Sequence, residues 1–519
     1  MTQARRGLLL AVAVSIVVAA PVRLPAQALA PIAYTVRISA PDSHFIEIDA
    51  VIPTGKRPSI ELMMPIWSPG YYRVEDYAAQ VSDVVAKTPD GQPLSIEKSD
   101  KNRWRLDTGG AATAHVSYRV FCNQRSVTTN EVNASYAVLN GAPTFITLAE
   151  RGRRPHDVRI ELPQGWTRAM TGLADAPGGK PNSFRAADFE TLVDSPILIG
   201  GLGVHEFVVS GKRHYVVSVG NTEGWDGDAA ARDLTTFVEE SRRFWGVLPY
   251  DKYLFLLMFR PGGGGLEHKN SNLSTVVART PPERRRWPSL GLLAHEYFHL
   301  FNVKRLRPLE LGPFDFDKQP ITGSLWMAEG VTSYYSGLLM TRSGLQTPDE
   351  YLASLSSLIG NLQESPGRLL QSVEQSSLEV WNNSNSGVAP NATTVSYYNT
   401  GNVIGLLLDA KIRRVTDGRR SFDDVMRQAY QRYSGERGYT ADELRLVAEG
   451  VAGADLRDWF RKAVSSTEEL DYTDLLEVYG LRFVASEKPA GNWKLEVRPD
   501  RTDAQKRQMD VWVARSQAR

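Results

Sequence analysis

The most specific chemistry in this 519-residue sequence lies in the stretch HEYFH, which holds His295, Glu296 and His299. Two histidines four positions apart share one face of a helix, so both imidazoles can reach one metal ion, and the glutamate beside the first is placed as a general base. A catalytic zinc needs a third protein ligand and an open position. Cys122 is the single cysteine, and the other histidines fall in β-patterned stretches or beside glycines, so a carboxylate is the economical third ligand. Glu329, in WMAEGVTSYY, lies 30 positions after His299 in an apolar helical pattern, where an unpaired carboxylate is costly. The competing reading is an exposed glutamate at a helix turn. Two histidines and a carboxylate would also accept cobalt or manganese, so the donor set alone does not name the metal.

A second stretch, PGGGGLEHKNSN from Pro261 to Asn272, sets four glycines against Glu267 and His268. A phosphate-binding loop needs a lysine and a hydroxyl at set spacing and a helix opening behind the glycines, and that pattern is absent here. A flexible linker is the plain alternative, although linkers seldom join an apolar strand to a zinc helix within one domain. A third reading suits a peptidase: glycines let a substrate backbone pair with a sheet edge, while Glu267 offers a carboxylate to a cation near the metal.

These residues need elements to carry them. From Ala33 to about Gly220 apolar residues alternate with polar ones, as in HFIEIDAVI and AHVSYRVFC, and turns such as Pro89-Asp90-Gly91 break the run. That period predicts an all-β sandwich or saddle. The period then lengthens: AAARDLTTFVEESRRFWGVLP reads as an amphipathic helix and YLFLLMFRP as a buried strand. Two apolar helices follow, SLGLLAHEYFHLFNVKRL and SLWMAEGVTSYYSGLLM, and the pattern is almost wholly helical from about Gln346. Thr440 to Glu443 form a capping box ahead of LRLVAEGV. The polar, turn-rich stretch between Ser372 and Thr394 reads as a long surface loop.

Composition narrows the function classes. The 60 basic and 59 acidic side chains nearly cancel, which argues against nucleic acid as a partner. Arg284-Arg285-Arg286, set among prolines, reads as a solvated loop. Arg5 and Arg6, the apolar run from Gly7 to Ala20 and the small residues Ala26-Gln27-Ala28 form a cleavable secretory signal peptide. The run is too short to span a bilayer and no later segment is long and apolar enough. A secreted or periplasmic protein with no membrane span is expected. One cysteine permits neither an internal disulfide nor a cysteine metal cluster, so Cys122 is expected to be a small buried apolar residue.

HEYFHLFNVKRLRP, followed at this distance by WMAEGVTSYY, resembles the M61 family of metallopeptidases, the glycyl aminopeptidases, which are gluzincins related to the larger M1 aminopeptidase family. The resemblance extends to MPIWSPGYY, to LVDSPILIGG from Leu192 to Gly201, to the glycine stretch and to YYNTGNVIGLLLD, and so covers nearly all of the chain after the leader. It implies one Zn2+ ion held by His295, His299 and Glu329, with Glu296 as general base. In M1 enzymes a Gly-x-Met-Glu-Asn segment binds the free α-amine of the substrate, and Gly264-Gly265-Leu266-Glu267-His268 resembles its counterpart. His268 stands where those enzymes have asparagine, and both substrate contact and simple packing stay open for it. YYNTG resembles the Tyr-x-x-Gly start of an M1 helix whose tyrosine donates to the oxyanion; counting back from Gly401 selects Tyr398, with Tyr397 as its neighbour.

The chain departs from the family in two places. Many relatives carry an arginine where this chain has Glu75, so any role of that arginine does not transfer. Many also carry a C-terminal PDZ domain, and too few residues follow LDYTDLLEVYGLRF for a complete one. The expected architecture is multidomain α+β: signal peptide 1–28, N-terminal all-β domain 29–225, thermolysin-like zinc catalytic domain 226–345, α-helical domain 346–480 and a short C-terminal tail 481–519, with no complete PDZ domain. The expected activity is zinc-dependent removal of N-terminal residues, glycine or alanine, from peptides. A zinc endopeptidase without N-terminal anchoring and a catalytically degenerate peptide-binding protein are the alternatives.

Overall fold

The computed structural model describes residues 29–150, 152–278, 287–382 and 390–516. The segment 1–28, expected to be a signal peptide, and Arg284-Arg285-Arg286 lie outside the described residues.

Alternating side chains make the N-terminal part a β domain. In the strand Phe45–Pro53 every second residue is buried, so Ile46, Ile48, Ala50 and Ile52 enter the core while their neighbours face outward. This strand is central in an eight-stranded sheet, and two four-stranded sheets complete the domain. Cys122 is fully buried in the same core.

The catalytic part is built on a five-stranded sheet. Its strands are β1 (Gly203–Val209), β2 (Lys212–Gly220), β3 (Lys252–Phe259), β4 (Gly265–Glu267) and β5 (Ser271–Val276), in the order β1-β2-β3-β5-β4. β2 and β3 run parallel, as do β3 and β5, and a helix of 19 residues, α1 (Gly227–Trp245), forms the crossover between β2 and β3. β3 is buried along nearly its whole length, as expected of a strand covered on both faces. The expected boundary at residue 225 is therefore corrected. β1 and β2 carry the same period-two pattern as the strands before them, yet they pair with the catalytic sheet.

The metal-motif helix is α2 (Leu290–Phe298), and α3 (Val331–Arg342) follows a π-helical turn over Trp326–Gly330. The sequence pattern predicts the first of these helices through Leu306. It stops instead with His299 as its C-cap, because Leu300 to Leu306 turn back to pack against the helix end. Between the two helices Phe314 and Phe316 insert into the core of the β domain. A backbone bond from Ile66 N to Phe316 O (3.0 Å) and a bond from the Trp67 indole Nε1 to Asp315 O (3.2 Å) pin that crossing. A buried pair, Arg260 with Glu131, joins the end of β3 to the β domain.

Behind the site runs α4 (Tyr397–Val415), with 13 residues buried. The Ser372–Thr394 stretch is not loop throughout: Val373–Leu378 is a helix capped by Ser372, and Val373, Ser376 and Ser377 are buried. Thr440 caps its helix as the capping box predicts.

The C-terminal stretch is a folded part of the helical region and not a tail. Leu481–Val484 and Lys494–Val497 pair as a hairpin, and α5 (Asp503–Val513) packs back on the helices. Trp512 is fully buried, stacks on Tyr479 at 4.4 Å and donates from Nε1 to the Tyr334 hydroxyl at 3.1 Å. Removing such a side chain leaves a cavity and costs about 3–5 kcal/mol. Trp512→Ala is expected to lower the free energy of urea unfolding by that amount, whereas a change below about 1 kcal/mol would mean that the C-terminal helix adds little to the fold.

Candidate metal centre

Leu290, Leu293, Ala294, Tyr297 and Phe298 seat α2 in the core, which turns His295, Glu296 and His299 toward the opposite face. His295 Nε2 and His299 Nε2 stand 2.9 Å apart, and Glu329 Oε2 lies 3.1 Å from the latter and 3.6 Å from the former. Two nitrogens and one carboxylate oxygen thus converge on one point, as the ligands of a zinc site do.

The surrounding groups orient these donors. His299 Nδ1 donates to the carbonyl of Asn302 at 3.0 Å, which leaves Nε2 as the free lone pair, and His295 Nδ1 lies 3.3 Å from the Ser333 hydroxyl. Asn302, fully buried, donates to Met327 O at 2.9 Å and to Thr332 Oγ1 at 3.0 Å, and so binds the end of α2 to the π turn that carries Glu329. Such turns in place of regular α-helix recur at functional sites. Its position is set by a close backbone crossing, since a Cβ on Gly330 would stand 2.4 Å from the Cα of Gly401 in α4.

The charges agree with this donor set. Burial opposes a charge on His299, but Glu329, Glu267 and Glu296 outweigh it and raise the imidazole to about 10. Burial also raises Glu329, and here His299 and His295 outweigh it and hold the carboxyl down to about 2. The field that favours positive charge at His299 equally favours a divalent cation between the three side chains. His295, Glu296, His299 and Glu329 were legible as a group from spacing; Asn302 and Ser333 were not, because they act through folding and carry no motif.

Glu296 is buried and lies close under β4. A Cβ on Gly265 would stand 2.3 Å from Glu296 Oε1, so no other residue fits beside that carboxylate. Burial, with Glu267 and Glu329 adding to it, pushes the Glu296 carboxyl up to about 8. Of the glycine stretch, Gly264 adopts φ +107° with open space around it, and Gly265 begins β4 at the edge of the sheet. Glu267 ends the same strand, and its carboxylate, that of Glu296 and a nitrogen of His299 all lie within 4.8 Å of one another. Burial raises the Glu267 carboxyl, against His299 and Lys304.

The β domain closes this corner. A Cβ on Gly70, at φ +96°, would stand 2.4 Å from Glu267 Oε1, and Tyr72 from the same SPGYY turn has Glu329 and Glu267 as its charged neighbours. A cavity of about 840 Å³ lies between the domains, with Gly70, Tyr72, Glu267 and Lys304 on its wall. His268 points away from the metal, with Nδ1 3.3 Å from Asp194 Oδ1. The ring of Tyr398, at the start of α4, lies 6.1 Å from that of His295 and 4.9 Å from that of Tyr397, and Tyr397 belongs to the core. Burial and then Glu329 raise the Tyr398 hydroxyl well above its usual value, which keeps it a proton donor.

Two substitutions separate the ligands from the base. Glu329→Gln is expected to reduce bound metal, measured by atomic emission on dialysed protein, by about 10-fold or more. Gly265→Ala is expected to keep the metal but lower kcat by about 10²–10⁴-fold through displacement of Glu296; unchanged kcat would remove Glu296 from the chemistry.

The comparisons follow from this geometry. None of the curated proteins compared matches the sequence. A crystal structure described as an aminopeptidase N family protein from Idiomarina loihiensis is 26% identical, with a TM-score of 0.83, 88% of this chain covered and 79% of that one. An M1 zinc metallopeptidase mutant from Deinococcus radiodurans bound to a Tyr-Ser-Ala substrate shares the fold at 14% identity and a TM-score of 0.52, covering 86% of this chain and 95% of that one. The family model for the peptidase M61 N-terminal domain matches residues 33–201 and the model described as M61 glycyl aminopeptidase matches 288–404, together more than half of the 519 residues. With His295, Glu296, His299 and Glu329 all in the segment that the second model covers, the chain belongs to the M61 peptidase family.

Proposed function

We propose that the protein is an exported zinc aminopeptidase that hydrolyses the first peptide bond of peptides with a small N-terminal residue, glycine or alanine. The observation that carries this reading is the state of Glu267. It is buried, forms no ion pair among the described residues, and lies within 4.8 Å of the base and of a metal-binding histidine. Lys304, the cation close by, is already paired with Asp194 at 2.6 Å. Charge counting then favours a cationic ligand. When all three are ionised, as Glu296 must be to accept a proton, Glu267, Glu296 and Glu329 bring three negative charges, of which one divalent ion neutralises two and a substrate ammonium the third.

Zinc held by His295, His299 and Glu329 would polarise the scissile carbonyl and acidify water. Glu296 accepts the proton of the attacking water and returns it to the leaving nitrogen. The hydroxyl of Tyr398 donates to the oxygen that gains charge in the transition state. β4, as the edge strand, offers its free side to the substrate backbone, and Glu267 accepts hydrogen bonds from the ammonium. An anchor this near the metal leaves space for a single residue before the scissile bond. The small-residue preference is supported by the matched family model, described as a glycyl aminopeptidase. Export is supported by the leader pattern from Arg5 to Ala28.

The test is hydrolysis of glycyl-para-nitroanilide and its N-acetylated form by wild type and Glu267→Ala. Loss of one partner of a buried charge pair costs about 2–5 kcal/mol, so kcat/KM on the free amine is expected to fall on the order of 10²-fold in the variant. Equal turnover of the acetylated substrate by wild type would overturn the reading in favour of an endopeptidase. Tyr398→Phe is expected to lower kcat by about 10²–10³-fold with little change in KM. For the size preference, glycine and alanine substrates should exceed leucine and phenylalanine ones; equal rates would assign the cavity beside Glu267 to larger side chains.

A further inference from the structure

Asp194 is a buried carboxylate close to the site that no step above uses. It caps the C-terminal end of a short helix of the β domain, Phe189–Val193, within the LVDSPILIGG stretch. Its Oδ2 accepts the backbone N–H of Lys269 at 2.8 Å, and its Oδ1 lies 2.6 Å from Lys304 Nζ and 3.3 Å from His268 Nδ1. Burial raises the Asp194 carboxyl, and Lys304 and His268 outweigh that effect and hold it below the usual carboxylate range.

The partners belong to the two segments whose separation defines the site. His268 and Lys269 form the turn that follows Glu267 between β4 and β5. Lys304 follows the metal helix, and its own N–H donates to the carbonyl of His299 at 3.0 Å. Val303, just before it, takes φ +131°, a region that β-branched residues rarely enter, so the turn that delivers Lys304 is held by its surroundings. One carboxylate from the β domain therefore joins the end of the anchor strand to the end of the metal helix. Hydrogen bonds of this kind gain strength from the low local dielectric and define a single geometry.

We propose that Asp194 is a positioning residue: by holding Lys269 and Lys304 together it sets the span between the Glu267 carboxylate and the metal-binding side chains, and so confines hydrolysis to the first residue. The inference rests on Glu267 as the amine anchor. It assigns His268 to this clamp and not to substrate. A displaced anchor no longer meets the ammonium of a substrate whose carbonyl lies at the metal, so the binding that the anchor supplies is lost, and such a loss appears in KM more than in kcat.

Removing Asp194 alone would leave Lys304 buried without a counter-charge, which destabilises a fold by itself. The test therefore uses the full chain with Asp194→Leu and Lys304→Met combined, beside Asp194→Asn. The double variant is expected to keep its metal content and cooperative unfolding. Its KM for glycyl-para-nitroanilide should rise by about 10-fold or more with kcat within about 3-fold, and its discrimination against the N-acetylated substrate should fall to the same extent. Asp194→Asn retains an acceptor for the Lys269 N–H and should lie between the double variant and wild type. A folded, metal-loaded double variant with wild-type KM and discrimination would overturn the proposal and reduce Asp194 to a link between domains, as would an activity loss that only tracks lost folded protein. Glu267→Ala, run in parallel, separates the two claims. A wild-type KM in that variant removes the anchor itself, and a raised KM there with none in the double variant removes only the role of Asp194.

Discussion

Mutual repulsion among Glu267, Glu296 and Glu329, three buried carboxylates around two imidazoles, is the constraint on which the rest of the site depends. In a medium of low dielectric such a group is stable only if cations meet it or if its members stay protonated. The arrangement of neighbours shows which charges are left open. Lys304 is paired with Asp194 and Arg260 with Glu131, so neither forms an ion pair with the three glutamates, and Lys304 acts on Glu267 only through space. In the function proposed above, a divalent ion and a substrate ammonium would balance the remaining charge, and a site completed by both would select for substrates with a free amine.

Close backbone approach is the means by which separate segments reach that point. Gly265 admits the Glu296 side chain beneath β4, Gly70 lets the β domain close over Glu267, and Gly330 and Gly401 let the π turn cross α4. Each contact brings together segments far apart in sequence, and each would be lost with a single methyl group. The segment Phe314 to Asp317, held by Trp67, Ile66 and Asn102, fixes the β domain against the crossing between the two metal helices. The β domain is therefore part of the site, through Gly70, Tyr72 and Asp194.

Much of the centre was legible in the sequence because its signals are local. A helix repeat places His295 and His299 on one face, and an unpaired carboxylate in an apolar helix, as at Glu329, asks for a partner. Period-two and period-3.6 patterns likewise marked the β domain and the amphipathic helix α1. Pattern failed where the outcome depends on a neighbour. β1 and β2 alternate like the strands before them and yet pair with β3; the helix pattern after His299 is overridden by the turn through Val303; the segment from Leu481 on reads as a tail until Trp512 finds its pocket.

Taken alone, the sequence determined that a metal could be bound by His295, His299 and a carboxylate, that Glu296 stands beside it, and that a glycine-rich strand precedes it with an acid at its end. These follow from residue type and from the helical and extended repeats, which are short-range properties of the chain. Tertiary structure alone decided that Glu267 lies within 4.8 Å of Glu296 and His299, that His268 turns to Asp194, and that Asn302 orders both metal helices. Those relations depend on which distant segments the core brings into contact, and no periodicity along the chain encodes a distance across it.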